Sequence, residues 1–191
     1  MRFNIEKCKV MHMGAKNKCE KYTLINRDLS MVKEERDLEV IVNDTFKVAK
    51  QCLVASKKGN QVLGMISRSF VSRNKNIIKK LYKSLVRPHL EYCIQAWRPH
   101  LIKDIEILEK VQRRASRMVI ECKGMEYEKR IAILRLTTLE TRRRRADLLE
   151  VYKILNKHEG IDENSLFTRN IGKTRGNTCK LFKRRSNLDV Y

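Results

Sequence analysis

Lys110, Arg113, Arg114 and Arg117 recur at three- and four-residue steps, a spacing that lines side chains along one stripe of a helix. Such a row of cations can track a phosphate backbone and release counterions as each contact forms. The competing reading is a solvated face balanced by nearby acids such as Glu106, Glu109 and Glu121. A second basic run, Arg142, Arg143, Arg144 and Arg145, cannot point one way, because consecutive helical residues are about 100° apart. Two of these four are expected to meet phosphate or an acid. Arg142, Arg143 and Arg145 therefore join the candidate nucleic-acid-binding residues.

Catalytic chemistry has less to stand on. Two-metal sites need carboxylates held together on a turn between strands, and no two Asp residues are adjacent anywhere in the chain. Glu34-Glu35 is the nearest imitation, and a polar turn explains it better. No phosphate-binding glycine loop, nucleophile elbow or zinc signature is present. Cys8 and His12 are four apart, but in a strand-like segment that spacing does not chelate a metal. The six cysteines, with no Cys-x-x-Cys pair, read as reduced thiols of an intracellular protein, nuclear or cytoplasmic. Tyr82, Tyr92 and Trp97 have rings that can stack on bases. Their place on an apolar helical face favours core packing. His89, beside Pro88, reads as a hydrogen-bonded structural residue. No catalytic residue, metal site or cofactor is expected from these residues.

The elements that must position the basic stripes follow from periodicity. The chain has 191 residues, 43 Lys+Arg against 22 Asp+Glu, and a net charge of +21. A charge of that size repels itself unless a polyanion neutralises it, and nucleic acid is the commonest one. No apolar run approaches the ~18 residues of a membrane span, and no signal peptide is visible at Met1. Residues 1–45 read as short β-strands: one over residues 3–13, two around a turn at Asn26-Arg27-Asp28, and a β-branched run over residues 37–42. A helical period begins at Thr45, capped by Asn43 or Asp44, with Cys52, Ala55, Gly59, Val62, Ile66 and Phe70 inward. The next helix has a broad apolar face that includes Tyr82, Tyr92, Cys93 and Trp97, and Pro88 should kink or break it. A third helix opens at Asp104 with Leu108, Val111 and Ala115 inward. Thr137-Thr-Leu-Glu140 has the capping-box form, and the helix it opens should bury Leu148, Leu149, Tyr152 and Leu155. Residues 161–191 read as an extended or disordered basic tail.

The wording of several segments goes further. Residues 3–11 (FNIEKCKVM), 35–42 (ERDLEVIV), 60–68 (NQVLGMISR), 82–97 (YKSLVRPHLEYCIQAW), 136–143 (LTTLETRR) and 175–181 (RGNTCKL) come in a family-like order. Together they resemble the C-terminal part of the reverse transcriptases of non-LTR (long interspersed element type) retrotransposons. The resemblance makes residues 3–11 a strand of the polymerase palm. It makes residues 35–42 the hairpin that supports the primer terminus, with Asp37, Leu38, Glu39 and Val40 as primer-grip-like residues. Residues 60–97 become part of the thumb, the helical subdomain that holds the template–primer duplex.

The departures are equally specific. The family's paired catalytic aspartates would lie before Met1, so magnesium would need residues this sequence does not contain. Glu39 stands where the family usually has glycine, and Asn177 where histidine is common. The chain also stops before the family's closing tryptophan motif. The expected fold is α+β, mostly α: a β palm remnant over residues 1–45, a helical thumb-like bundle over residues 46–160, and a basic tail over residues 161–191. The resemblance implies a fragment of an RNA-directed DNA polymerase, inactive alone, that keeps non-specific binding of RNA–DNA hybrid or duplex. No membrane partner is expected. The alternative is a basic helical protein-interaction module without a nucleic-acid role, self-associating through the surface left by the missing palm.

Overall fold

The computed structural model describes residues 4–14, 17–170 and 180–182. It is a mixed α+β structure, mostly helical, with three separate two-stranded pairs followed by the helices. β1 (Lys9–Val10) lies parallel to β4 (Ser30–Met31). β2 (Thr23–Leu24) and β3 (Arg27–Asp28) form an antiparallel pair around Ile25 and Asn26, so the turn begins one residue and ends two residues earlier than expected. Asn26 takes the left-handed backbone at φ 59°, which asparagine tolerates, while Arg27 and Asp28 go into the strand.

The run over residues 37–42 also divides. β5 (Glu34–Asp37) and β6 (Val40–Asn43) form a hairpin in which Asp37 pairs with Val40, leaving Leu38 and Glu39 as a two-residue loop. Glu34 and Glu35 are therefore strand residues and not a turn. Leu38 and Glu39 have φ of 43° and 68°, and positive φ at both central residues is the requirement of the tight type I′ hairpin. Neither residue suits it, since a Cβ in the left-handed region costs roughly 1–2 kcal/mol. Leu38→Asn combined with Glu39→Gly should stabilise the chain by about 1 kcal/mol or more. The measurement is the urea midpoint. An unchanged or lower midpoint would mean that the turn is not strained.

β6 fastens this hairpin to the helices. Val40 is buried, Val42 packs against the same core, and the Ile41 N–H donates to Gln51 Oε1 at 3.1 Å. Gln51 belongs to α1 (Ala49–Ser69), which starts four residues later than expected, because Asn43 Oδ1 accepts from the Thr45 and Lys47 N–H groups and holds residues 43–47 as a loop. α1 buries Cys52, Ala55, Gly59, Leu63 and Ile66. Val62 is half-buried and Phe70 is exposed, beyond the end of the helix. Burial among apolar neighbours, with Asp104 nearby, pushes the Cys52 thiol up to about 12.

The next helical stretch is α2 (Lys75–Leu81), a π-turn (Tyr82–Val86) and α3 (Arg87–Glu91). Pro88 causes the π-turn and not a break. A proline has no N–H and its ring crowds the carbonyl four residues back; widening the preceding turn, with Arg87 N–H bonded to Tyr82 O, accommodates it. The break comes later, at Cys93, whose φ of 50° ends the helix and starts the short α4 (Ile94–Trp97). Tyr82, Val86, Leu90, Ile94 and Trp97 are buried, whereas Tyr92 and Cys93 are turned out to solvent.

α5 (Ile102–Arg117) packs along α1 and buries Leu108, Val111 and Ala115. Gly59 leaves no room for a side chain here: a Cβ would lie 3.2 Å from side-chain carbons of both Leu90 of α3 and Val111 of α5. α6 (Tyr127–Ile133) and α7 (Leu139–Leu155) follow. The capping box is not formed. Thr138 is the N-cap, its hydroxyl accepting from Thr141 N–H at 3.1 Å, and Glu140 turns to Arg144 instead. α7 is also rotated relative to expectation, with Leu139, Arg143 and Ile154 buried and Leu148, Leu149 and Tyr152 exposed. Of the expected tail, residues 163–166 form the short α8 (Glu163–Leu166), started by Asp162 as N-cap, and Arg169 bridges to Leu181. Only α8 departs from the expected extended or disordered tail, since the Arg169–Leu181 bridge is itself extended; residues 171–179 and 183–191 lie outside the described residues.

Candidate nucleic-acid interface

The apolar stripe of α5 faces the core, so its opposite side must face solvent, and there the basic residues stand. Lys110, Arg114 and Arg117 are exposed, and none forms an ion pair among the described residues. Lys103 is also exposed and one heptad before Lys110, so it extends the row. Sequence reading missed it, although the i, i+7 spacing was there to see. At 1.5 Å per residue the four cover roughly 21 Å of helix within an arc of about 60°. Arg114 is steadied by donating to Asn60 Oδ1 of α1 at 3.0 Å. Since Gly59 faces Val111 and Asn60 faces Arg114, α1 runs alongside in the same sense. Its exposed Lys57 and Arg68 add to the basic surface.

The acids that would neutralise this row mostly do not reach it. Glu109 is buried, where it accepts from the Tyr127 hydroxyl, from Gln112 Nε2 at 3.2 Å and from Leu139 N–H at 3.0 Å. Glu121 accepts from Lys75 N–H at 3.2 Å. Only Glu106 lies exposed on the same side. Arg113 is set aside from the row: it is half-buried, with its guanidinium 5.1 Å from the centre of the Tyr127 ring. A cation over an aromatic face is held there by the ring quadrupole.

The second basic run divides as its helical geometry requires. Arg142 grips the Glu91 carboxylate of α3 with Nε and with Nη2, the latter at 3.0 Å. That bond to Glu91 raises its pKa further. Arg143 is 1% exposed and Arg144 pairs with Glu140 at 2.6 Å. Arg145 alone of the four is exposed without an ion pair among the described residues. Arg142 and Arg143 are therefore not open to phosphate: one is engaged by an acid and the other is inside the core.

The primer-grip-like residues occupy the hairpin tip. Val40 is the buried anchor; Asp37, Leu38 and Glu39 are exposed. Glu39 reaches Arg36 at 3.5 Å and Lys58 of α1 at 4.0 Å. Two cavities adjoin these elements. One of about 440 Å³ lies beside α5 and is walled by Glu106, Glu109, Glu128 and Glu140 against Arg113 and Arg144, the wrong sign for phosphate. The other, about 390 Å³, lies between the hairpin tip, α1 and α3. Among the described residues no three His, Cys, Asp or Glu side chains gather as a metal site, and no helix is long and apolar enough to cross a membrane.

No protein-family model, curated protein or solved structure matches this chain. Its functional reading rests on the residues and their geometry.

Proposed function

We propose that this chain holds nucleic acid by the phosphate backbone, without sequence preference, through the exposed face of α5 and the adjoining part of α1. The carrying observation is the row Lys103, Lys110, Arg114 and Arg117, exposed and without ion pairs among the described residues. The net charge of +21 acts in the same direction. RNA–DNA hybrid or duplex is the ligand that the resemblance to a non-LTR reverse-transcriptase thumb suggests. An intracellular location, nuclear or cytoplasmic, goes with that ligand. Polymerisation is not part of the proposal, since the paired aspartates of that family are not in this sequence.

The test is the dependence of affinity on salt. For duplex DNA, log affinity falls with log salt at a slope of about −0.9 per phosphate contact. Lys110→Ala, Arg114→Ala and Arg117→Ala together should flatten the slope by about 2–3 units and weaken all sequences alike. An unchanged slope in the triple variant would remove this face from the interface. A second reading, a protein-interaction module, is favoured by one observation: Leu148, Leu149 and Tyr152 of α7 are 70%, 62% and 59% exposed. Salt-insensitive self-association, lost on replacing these three by polar residues, would support it.

A further inference from the structure

The cavity of about 390 Å³ is within the size range of small-ligand sites, and its walls differ in character. Val54, Ala55 and Pro88 make an apolar floor. Tyr92, 54% exposed, stands at the rim. Tyr92 lies about 200° round the helix from the buried Leu90, so its ring points away from the core. The helix breaks immediately after it at Cys93, a non-glycine residue at φ 50°, and such positions persist only where the surroundings impose them. Here the Trp97 indole N–H donates to Tyr92 O at 2.8 Å, and the Tyr92 N–H donates to Pro88 O at 2.9 Å. Both backbone groups of Tyr92 are thus fixed, and the outward ring is presented on a rigid support.

The polar groups across the cavity are cationic in balance. Arg36 and Lys58 share the single carboxylate of Glu39 at 3.5 and 4.0 Å, long contacts between exposed groups that are worth little in water. Either cation can therefore turn to another anion at small cost. His89 adds an imidazole whose pKa is lowered by burial and by the Lys58 charge, which favours the neutral ring. A flat ring to stack on, an apolar floor and two cations sharing one carboxylate suit a planar heterocycle that carries a phosphate.

We propose that this cavity takes one unstacked nucleobase of single-stranded nucleic acid, stacked on Tyr92 with its phosphate against Lys58 or Arg36. The proposal rests on the reading of the chain as a nucleic-acid binder and adds a second, base-contacting site to the phosphate row of α5.

A single-stranded oligonucleotide carrying 2-aminopurine provides the test, because stacking quenches the fluorescence of that base. The intact chain should quench it. Tyr92→Ala should lose the quench and bind the single strand about tenfold or more weakly, the usual effect of removing one stacking ring. Its salt slope should stay as in the parent, since no phosphate contact is lost. Tyr92→Phe should keep both the quench and the affinity, and a blunt duplex should bind the parent and Tyr92→Ala alike. Unaltered single-strand binding by Tyr92→Ala overturns this site alone. An equal loss on blunt duplex also overturns it, since the ring would then act through the fold. If Tyr92→Ala does not fold, Tyr92→Leu keeps an apolar side chain and answers the same question. Failure of the parent chain to bind any nucleic acid would sink the phosphate row together with this site.

Discussion

Replacing Trp97 by alanine should lower the unfolding free energy by about 3–5 kcal/mol, the usual cost of emptying a large aromatic site in a core. The ring is 2% exposed and joins a core cluster that includes Tyr82, Leu90, Leu108 and Leu139. Its N–H also closes the bend at Cys93 by donating to Tyr92 O at 2.8 Å. Truncation therefore removes dispersion contacts and the bond that fixes the break. Trp97→Phe keeps most of the volume and should cost clearly less. Tyr92→Ala, five residues away in sequence, should stay within about 0.5 kcal/mol of the parent, as surface changes usually do. Urea titration gives both numbers, provided the dependence on denaturant is the same in each variant. A Trp97→Ala loss below 1 kcal/mol would mean that the ring is not packed as described.

These two aromatics show where sequence reading succeeds and where it stops. Periodicity places Cys52, Ala55, Gly59 and Ile66 on one face of α1, and Leu108, Val111 and Ala115 on one face of α5, because both helices run without interruption. The expectation that Tyr92 shares the apolar face of Trp97 fails, because five helical steps of about 100° already set the two roughly 140° apart. Cys93, expected on the apolar face, is turned out for another reason: the chain leaves the helix there, in a conformation that no residue type at that position announces. Pro88 was a visible signal, yet its effect is a widened turn rather than a break. α7 misleads for a different reason. Three large apolar residues, Leu148, Leu149 and Tyr152, argue for one inward face, and tertiary contacts with α4 and α5 select another. The basic row on α5 was legible because a regular amphipathic helix has no choice of which side to bury. The hairpin at residues 34–43 was legible only in part: β6 follows from its β-branched Val40, Ile41 and Val42, but β5 has no β-branched residue, and Leu38-Glu39 carries none of the Asn-Gly chemistry that marks a tight turn.

Arg143 is the residue on which the two readings part most sharply, and Arg143→Met should stabilise the chain by about 1 kcal/mol or more. Sequence reading counts it as a phosphate ligand, and the structure puts it 1% exposed in the core, with neither Nη1 nor Nη2 meeting a hydrogen-bond partner among the described residues. Burial lowers its pKa and the Glu109 charge acts against that shift, but a guanidinium does not give up its proton in a protein. The charge must therefore be carried in the core at the expense of stability. Glu109 offers only indirect relief, because its oxygens already serve Tyr127, Gln112 and Leu139. Methionine keeps much of the arginine stem's volume without the charge, so the desolvation cost disappears and only a small void remains. Glu109→Leu should do the opposite and lose about 3–5 kcal/mol, since it strands the Leu139 N–H and takes away the nearest favourable charge from Arg143. With both changes made, the loss should be smaller than the Glu109→Leu loss alone, because no buried cation is then left unsupported. Chemical unfolding of the parent, the two single variants and the double variant measures this coupling. Arg143→Met should also leave the salt slope of nucleic-acid binding unaltered. A variant less stable than the parent by more than 1 kcal/mol would show that the guanidinium has a partner in solution, and a flattened slope would return Arg143 to the binding surface.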